Sequence, residues 1–267
     1  MTILETSGLT RRFGNLTAVD NLNLTVAEGE VFGLLGPNGA GKTTVIKMLT
    51  TLLPPTSGTA TVAGFDIRQR PAQVRASIGY VPQLVSVDGA LTGYENLLFF
   101  AKLYGVPRAL RRSRIEEALN FAELQEAAGR EVRGYSGGMV RRLELAMAML
   151  HRPRVLFLDE PTVGLDPLAR QAVWQRVRLL AREYGMTIVL TTHFMDEADA
   201  LCVRVAIMNL GRLATLGRPD ELKQSLHHAG ATLDEVFAHY TGHPLEIEQE
   251  GNYHDISQTR RNLARLG

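Results

Sequence analysis

The chain has 267 residues, 45 % of them apolar and 21 % charged, with a formal net charge of +1. That length supports one large domain or two small ones, and the near-neutral balance argues against nucleic acid as the main ligand. The single cysteine, Cys202, excludes an internal disulfide framework and reads as a buried small hydrophobe in a reducing compartment. No leader is expected, because the first residues hold no apolar core of signal-peptide length. No run approaches the ~20 apolar residues a spanning helix needs, so the chain is not expected to cross a bilayer itself.

Residues 3–35 predict short strands broken by turns, ending in the apolar run Val31 to Leu35. After a glycine-rich loop, Val45, Ile46, Met48 and Leu49 stand at helical spacing and predict a helix from Thr43 to Leu53, stopped by Pro54 and Pro55. Residues 59–82 return to strand-like pieces around Val62 and Ile78 to Val81. The pattern then becomes helical over Tyr94 to Tyr104, Ala109 to Ala128 and Gly137 to Leu150. After Pro153, strands are predicted at Val155 to Leu158, Thr187 to Leu190 and Val205 to Met208, with a helix from Leu168 to Tyr184 between the first two. Such alternation implies an α/β fold with a largely parallel sheet covered by helices, and makes residues 86–150 a helical insertion. Leu233 to Tyr240 predicts an amphipathic helix whose core face is Leu233, Val236, Phe237 and Tyr240. Residues 242–267 are polar and poorly patterned, which reads as a solvated tail. No internal repeat or low-complexity segment is present.

Three strings carry chemistry. In Gly36-Pro37-Asn38-Gly39-Ala40-Gly41-Lys42-Thr43-Thr44, glycines between a strand and a helix let backbone N–H groups curl around a polyphosphate, with the helix N-terminus aimed at it. Lys42 would reach the β- and γ-phosphates, and the Thr43 hydroxyl would hold Mg²⁺. In Arg154 to Pro161, an apolar strand ends in two carboxylates. There Asp159 suits orientation of Mg²⁺ and Glu160 suits a general base for water, although acidic residues often follow strands simply to meet solvent. In Tyr135 to Met139, Ser136 with Gly137 and Gly138 reads either as a plain helix N-cap or as a second anion site. Gln83, Asp166 and His193 each follow a strand or turn, where a lone polar residue is more often a satisfied surface group.

Taken in order, these residues make the chain resemble the nucleotide-binding subunits of ABC transporters over about residues 3–225. Gly36 to Thr44 matches the Walker A motif, Gln83 the Q-loop, Ser136 to Gly138 the signature, Val155 to Glu160 Walker B, Val163 to Asp166 the D-loop, and His193 the switch histidine. Phe13 stands where the family stacks an aromatic ring on adenine, with phenylalanine in place of the commoner tyrosine. The signature reads YSGGM against a family LSGGQ, so Tyr135 and Met139 depart from it.

The resemblance implies a P-loop NTPase (RecA-like) core with a small N-terminal antiparallel β subdomain and an inserted α-helical subdomain. It implies an ATPase domain over 1–225 and a C-terminal extension over 226–267. Catalysis would rest on Glu160, His193, Gln83 and Lys42, with Thr43, Gln83 and Asp159 on Mg²⁺. Ser136 to Gly138 would close in trans over ATP held by an identical or different ATPase subunit, with Asp166 coupling the pair. A polytopic membrane permease subunit would hold the chain at the cytoplasmic face of the membrane. SGGMVRRLELA and the segment Ala231 to His243 further resemble the exporter branch that includes daunorubicin-resistance-type efflux ATPases, whose relatives export drugs, antibiotics, lipids and polysaccharides. The alternatives are an importer ATPase, which shares every core motif, or a soluble ABC ATPase acting on nucleic acid or ribosomes. A regulator without turnover is disfavoured by the intact Glu160 and His193.

Overall fold

The computed structural model describes residues 1–228 and 230–242; the predicted tail beyond 242 lies outside them. Ten strands and nine α-helices alternate among the described residues. They fall into two compact units, one of Met1–Tyr80, Arg154–Glu160 and the residues from Val177 on, the other of Val81–Pro153 and Pro161–Arg176.

The first unit opens with a hairpin, β1 (Thr2–Phe13) and β2 (Leu16–Ala27), paired antiparallel. These strands are long where short broken ones were expected. Register shifts interrupt the alternation, and at one of them the Thr6 hydroxyl stands in for the ladder, donating to Leu22 O at 2.9 Å and accepting from Leu24 N at 2.8 Å. With β4 (Ser57–Val62) and β5 (Phe65–Asp66) they form a four-stranded antiparallel sheet in the order β2-β1-β4-β5.

A six-stranded sheet follows the order β10-β9-β3-β8-β7-β6, built from β3 (Val31–Leu35), β6 (Ile78–Val81), β7 (Val155–Asp159), β8 (Thr187–Thr192), β9 (Arg204–Asn209) and β10 (Arg212–Gly217). The pairs β3–β8, β3–β9 and β7–β8 are parallel, and β10 returns antiparallel on β9. The residues of β3, β7 and β8 are all buried, as strands covered on both faces must be. Helix α1 (Lys42–Leu49) touches β2, β4 and β7, and its Val45, Ile46, Met48 and Leu49 join one apolar core with Leu4, Leu22, Phe157 and Val189. This helix stops at Leu49, earlier than the prolines: Thr50 caps it and Thr51 turns to φ 63°.

Helix α2 (Pro71–Ser77), unpredicted, is about two turns long and buries only Val74, too little for a periodic signal. Helices α7 (Met195–Leu201) and α8 (Pro219–Gln224) are equally short. Helix α9 (Leu233–Thr241) starts on a Thr232–Glu235 capping box and packs on α7, α8 and β10. Leu233, Val236 and Phe237 are buried as expected, whereas Tyr240, expected on the same face, is 39 % exposed.

In the second unit α3 (Gly93–Leu103), α4 (Arg108–Ala122) and α5 (Gly137–Met149) pack on one another, with Leu97, Ala101, Ile115, Leu119 and Leu143 buried. Thr92 and Glu95 cap α3 reciprocally, and Glu123 ends α4 at φ 53°, short of the predicted Ala128. Helix α6 (Pro167–Arg182) runs from this unit into the first. Among the described residues no helix is long and apolar enough to cross a membrane.

Candidate functional site

The loop between β3 and α1 is fixed by two close backbone approaches. At Gly36 (φ 153°) a Cβ would lie 2.4 Å from Met208 O, and at Gly41 (φ 100°) it would lie 2.4 Å from Ala18 O. Any side chain would therefore push the loop off β9 and β2. Gly41 is also the N-cap of α1, with no side-chain cap. The helix thus starts on bare backbone, which is how an anion reaches its first N–H groups. The Lys42 amine turns back into the loop, donating to Gly36 O at 2.8 Å and Pro37 O at 3.0 Å.

Parallel pairing brings the other residues of this unit beside the loop. Register places Asp159 of β7 opposite Thr191 of β8, and Leu35 of β3 opposite Thr192. Asp159 is 1 % exposed, and its Oδ1 accepts from Thr191 Oγ1 at 2.6 Å and from Thr43 Oγ1 at 3.1 Å. A carboxylate and a hydroxyl at this spacing are hard oxygen donors of the kind Mg²⁺ takes alongside phosphates and water, so the residues fit that ion.

Glu160 follows at φ 48°, a strained backbone for a residue with a side chain, and its N–H donates to Thr191 O at 3.2 Å and to Thr191 Oγ1 at 3.0 Å. Its Oε1 lies 3.4 Å from both Lys42 Nζ and His193 Nδ1. The His193 nitrogen is close but not aligned as a hydrogen-bond donor, and its ring packs on Phe194 with centroids 4.2 Å apart. Burial pushes the Glu160 carboxyl upward, but His193 and Lys42 outweigh it and hold the group below its ordinary value. For Lys42 the balance falls the other way: burial lowers the amine, and Glu160 and Asp159 only partly restore it.

Phe13 closes β1, 44 % exposed, with the Arg11 guanidinium 4.6 Å from its ring centroid. Its partner in the hairpin is Leu16, two residues from the Ala18 backbone that Gly41 meets.

Gln83, Ser136 to Gly138 and Asp166 belong to the second unit. Gln83 is exposed. Ser136 is the N-cap of α5, accepting from Met139 N at 3.3 Å, so the plain capping role is present whatever else it does. Ser136 and Gly137 are exposed, while a Cβ on Gly138 would stand 2.9 Å from that of Ala169. Tyr135 donates to Ala127 O at 2.6 Å, a packing role that accounts for its place in the sequence. Asp166 is exposed and accepts from Ala169 N at 2.9 Å.

The sequence did not single out Thr191, which holds both Asp159 and the Glu160 N–H. Nothing in a strand of two terminal threonines announces a partner 32 residues away.

An ABC transporter family model matches residues 19–163, more than half of the chain. The daunorubicin/doxorubicin resistance ATP-binding protein DrrA of Streptomyces peucetius is 48 % identical over 84 % of this chain and 67 % of its own. The Nod factor export ATP-binding protein I of Ralstonia nicotianae is 44 % identical over 88 % and 72 %. Among solved structures, a dimeric post-hydrolysis state of the ATP-binding cassette MJ0796, bound to ADP and Pi, superposes with a TM-score of 0.71 at 27 % identity, over 80 % of this chain and 98 % of its own. On the strength of that match and these identities, the chain belongs to the ABC transporter family and is one of its ATP-binding, ATP-hydrolysing subunits.

Proposed function

We propose that this subunit powers a membrane exporter. The observation that carries the reading is the identity of 48 and 44 % to ATP-binding proteins named for drug resistance and for Nod factor export. In this reading residues 1–225 are the ATPase domain and 226–267 an extension. The subunit sits at the cytoplasmic face of the membrane on a polytopic permease. A drug, antibiotic, lipid or polysaccharide is the class of cargo, and the permease selects it.

The residues divide the work as follows. Phe13 stacks on adenine, since an exposed ring face suits a base. Gly36 to Thr44 wrap the phosphates, and Lys42 turns its amine from the loop carbonyls to the β- and γ-oxygens. Mg²⁺ bound with the nucleotide supplies positive charge against those oxygens. Thr43, Asp159 and Gln83 are the residues that would hold it. Glu160, kept ionised by Lys42 and His193, takes a proton from the attacking water, and His193 orients it. The exposed Ser136 and Gly137 at the start of α5 meet the γ-phosphate on a second ATPase subunit, identical or not, and Asp166 couples the two sites. The dimeric state of the MJ0796 cassette supports such a pair.

The test uses full-length Glu160→Gln, expected to bind ATP while turnover falls by roughly 10² to 10⁴, the range of a general base. Tagged and loaded with Mg-ATP, it is recovered from solubilised membranes. A polytopic membrane protein held at about equal stoichiometry supports a transporter motor, and its transmembrane layout tells export from import. Recovery with nucleic acid or ribosomes alone would overturn it.

A further inference from the structure

Arg141 stands on α5, five positions after Ser136, and is 7 % exposed. A buried ion pair is a weak way to stabilise a helix, because desolvation opposes the attraction. The destinations of its hydrogen bonds are therefore informative. Nε donates to Pro161 O at 2.6 Å; Nη1 donates to Pro82 O at 2.8 Å and to Glu144 Oε2 at 3.0 Å. Glu144, one turn on and 3 % exposed, accepts from the Ser86 N–H at 2.7 Å and from its hydroxyl at 2.9 Å through the other oxygen.

Pro161 is peptide-bonded to Glu160. Its ring removes the freedom of φ, so holding its carbonyl holds the chain that enters from Glu160. Glu160 itself stands at φ 48° ahead of a proline, a conformation that persists only where the surroundings over-determine it. On the upstream side Thr191 holds the Glu160 N–H. On the downstream side the next carbonyl beyond its own is the one Arg141 holds.

We propose that Arg141 is a positioning residue for hydrolysis: anchored on Glu144 and Pro82 O, its guanidinium holds Pro161 O and so keeps Glu160 in the backbone geometry its carboxylate needs. The inference rests on Glu160 being the general base. A planar fork with several donors can serve two carbonyls and a carboxylate together; a lysine ammonium balances the charge of Glu144 but cannot span all three.

The test is a kinetic double-mutant cycle on the full chain with Mg-ATP. Arg141→Lys is expected to lower kcat by about tenfold to a hundredfold, the scale of a small misplacement, with KM for ATP and the thermal midpoint near wild type. In Glu160→Gln the same substitution is expected to lower the residual turnover no further, since a group that acts through another is silent once that other is gone. Glu144→Gln keeps acceptor and volume, loosens the guanidinium and should show the same pattern more weakly; it carries the test should Arg141→Lys not fold. A loss that multiplies in full in Glu160→Gln, or that follows the thermal midpoint across both variants, overturns the inference and leaves Arg141 a staple of the fold. Wild-type turnover in Glu160→Gln alone brings down the general-base reading and this inference with it.

Discussion

Lys42 keeps an ammonium where burial opposes it, and Glu160 keeps a carboxylate 3.4 Å away for the same reason. Each charge is tolerated because the other is there. Removing the amine takes away a charge-assisted contact worth about 1.5–3 kcal/mol, so Lys42→Ala should bind ATP about tenfold to a hundredfold more weakly in a fluorescent-nucleotide titration. Unchanged affinity would remove Lys42 from the phosphate cradle. Glu160 makes a prediction of opposite kind, on stability against pH. Its folded value lies below the ordinary one. The stabilisation its charge contributes is therefore complete above the unfolded value of about 4.3, and is lost as pH falls through the folded one. The thermal midpoint of wild type relative to Glu160→Gln should hold from pH 7 down to about 5 and drop as the buffer is taken below about 4.3; a gap that stays constant there would contradict the ion-pair account. Lys42, Thr43, Asp159 and Glu160 were legible because each sits in a short string whose residue types suit one chemistry. Thr191 and Arg141 were not, since what they hold is separated from them by 32 and 20 residues.

At the scale of elements, α1 and α5 begin in opposite ways. The first starts on bare glycine backbone, the second on a serine cap. The sequence shows both, but it does not show why the second glycine of the signature is a glycine. Gly138 has no left-handed φ to require one; it faces Ala169 at a distance that leaves no room for a methyl. Gly138→Ala should therefore cost about 1–3 kcal/mol, the usual range for overpacking, read as a lower midpoint in urea unfolding. A neutral result would mean that α5 shifts freely. The predicted α5 and α6 agree with the observed bounds to within two residues, because their apolar stripes are long. The β1–β2 hairpin was read as fragments because its register shifts break the period of two on which a strand is recognised. Helix α2 escaped for the complementary reason, with one buried residue in seven.

For the molecule as a whole, the covered central sheet gives Cys202 its character. A Cβ on Gly33 would meet the Cys202 sulfur at 2.8 Å, so strand and thiol are in close contact. Burial pushes the thiol well above its ordinary value, and Glu197 and Glu30 add to the push. A thiol reagent should label Cys202 many-fold more slowly in the native chain than in urea, measured as release of the reagent's chromophore. Equal rates would show that this part of the sheet opens readily. The sequence by itself determined the family, an ATP-binding and ATP-hydrolysing one, and the alternation of strands and helices, because the glycine-rich loop, the caps and the apolar periods are local and are written in adjacent residues. The tertiary structure alone decided that β8 lies between β3 and β7, which sets Thr191 on Asp159 and His193 beside Glu160, and that Arg141 reaches Pro161. Those contacts follow from strand order and helix packing, where residues far apart in the chain compete for the same partners, and no local pattern encodes which of them succeeds.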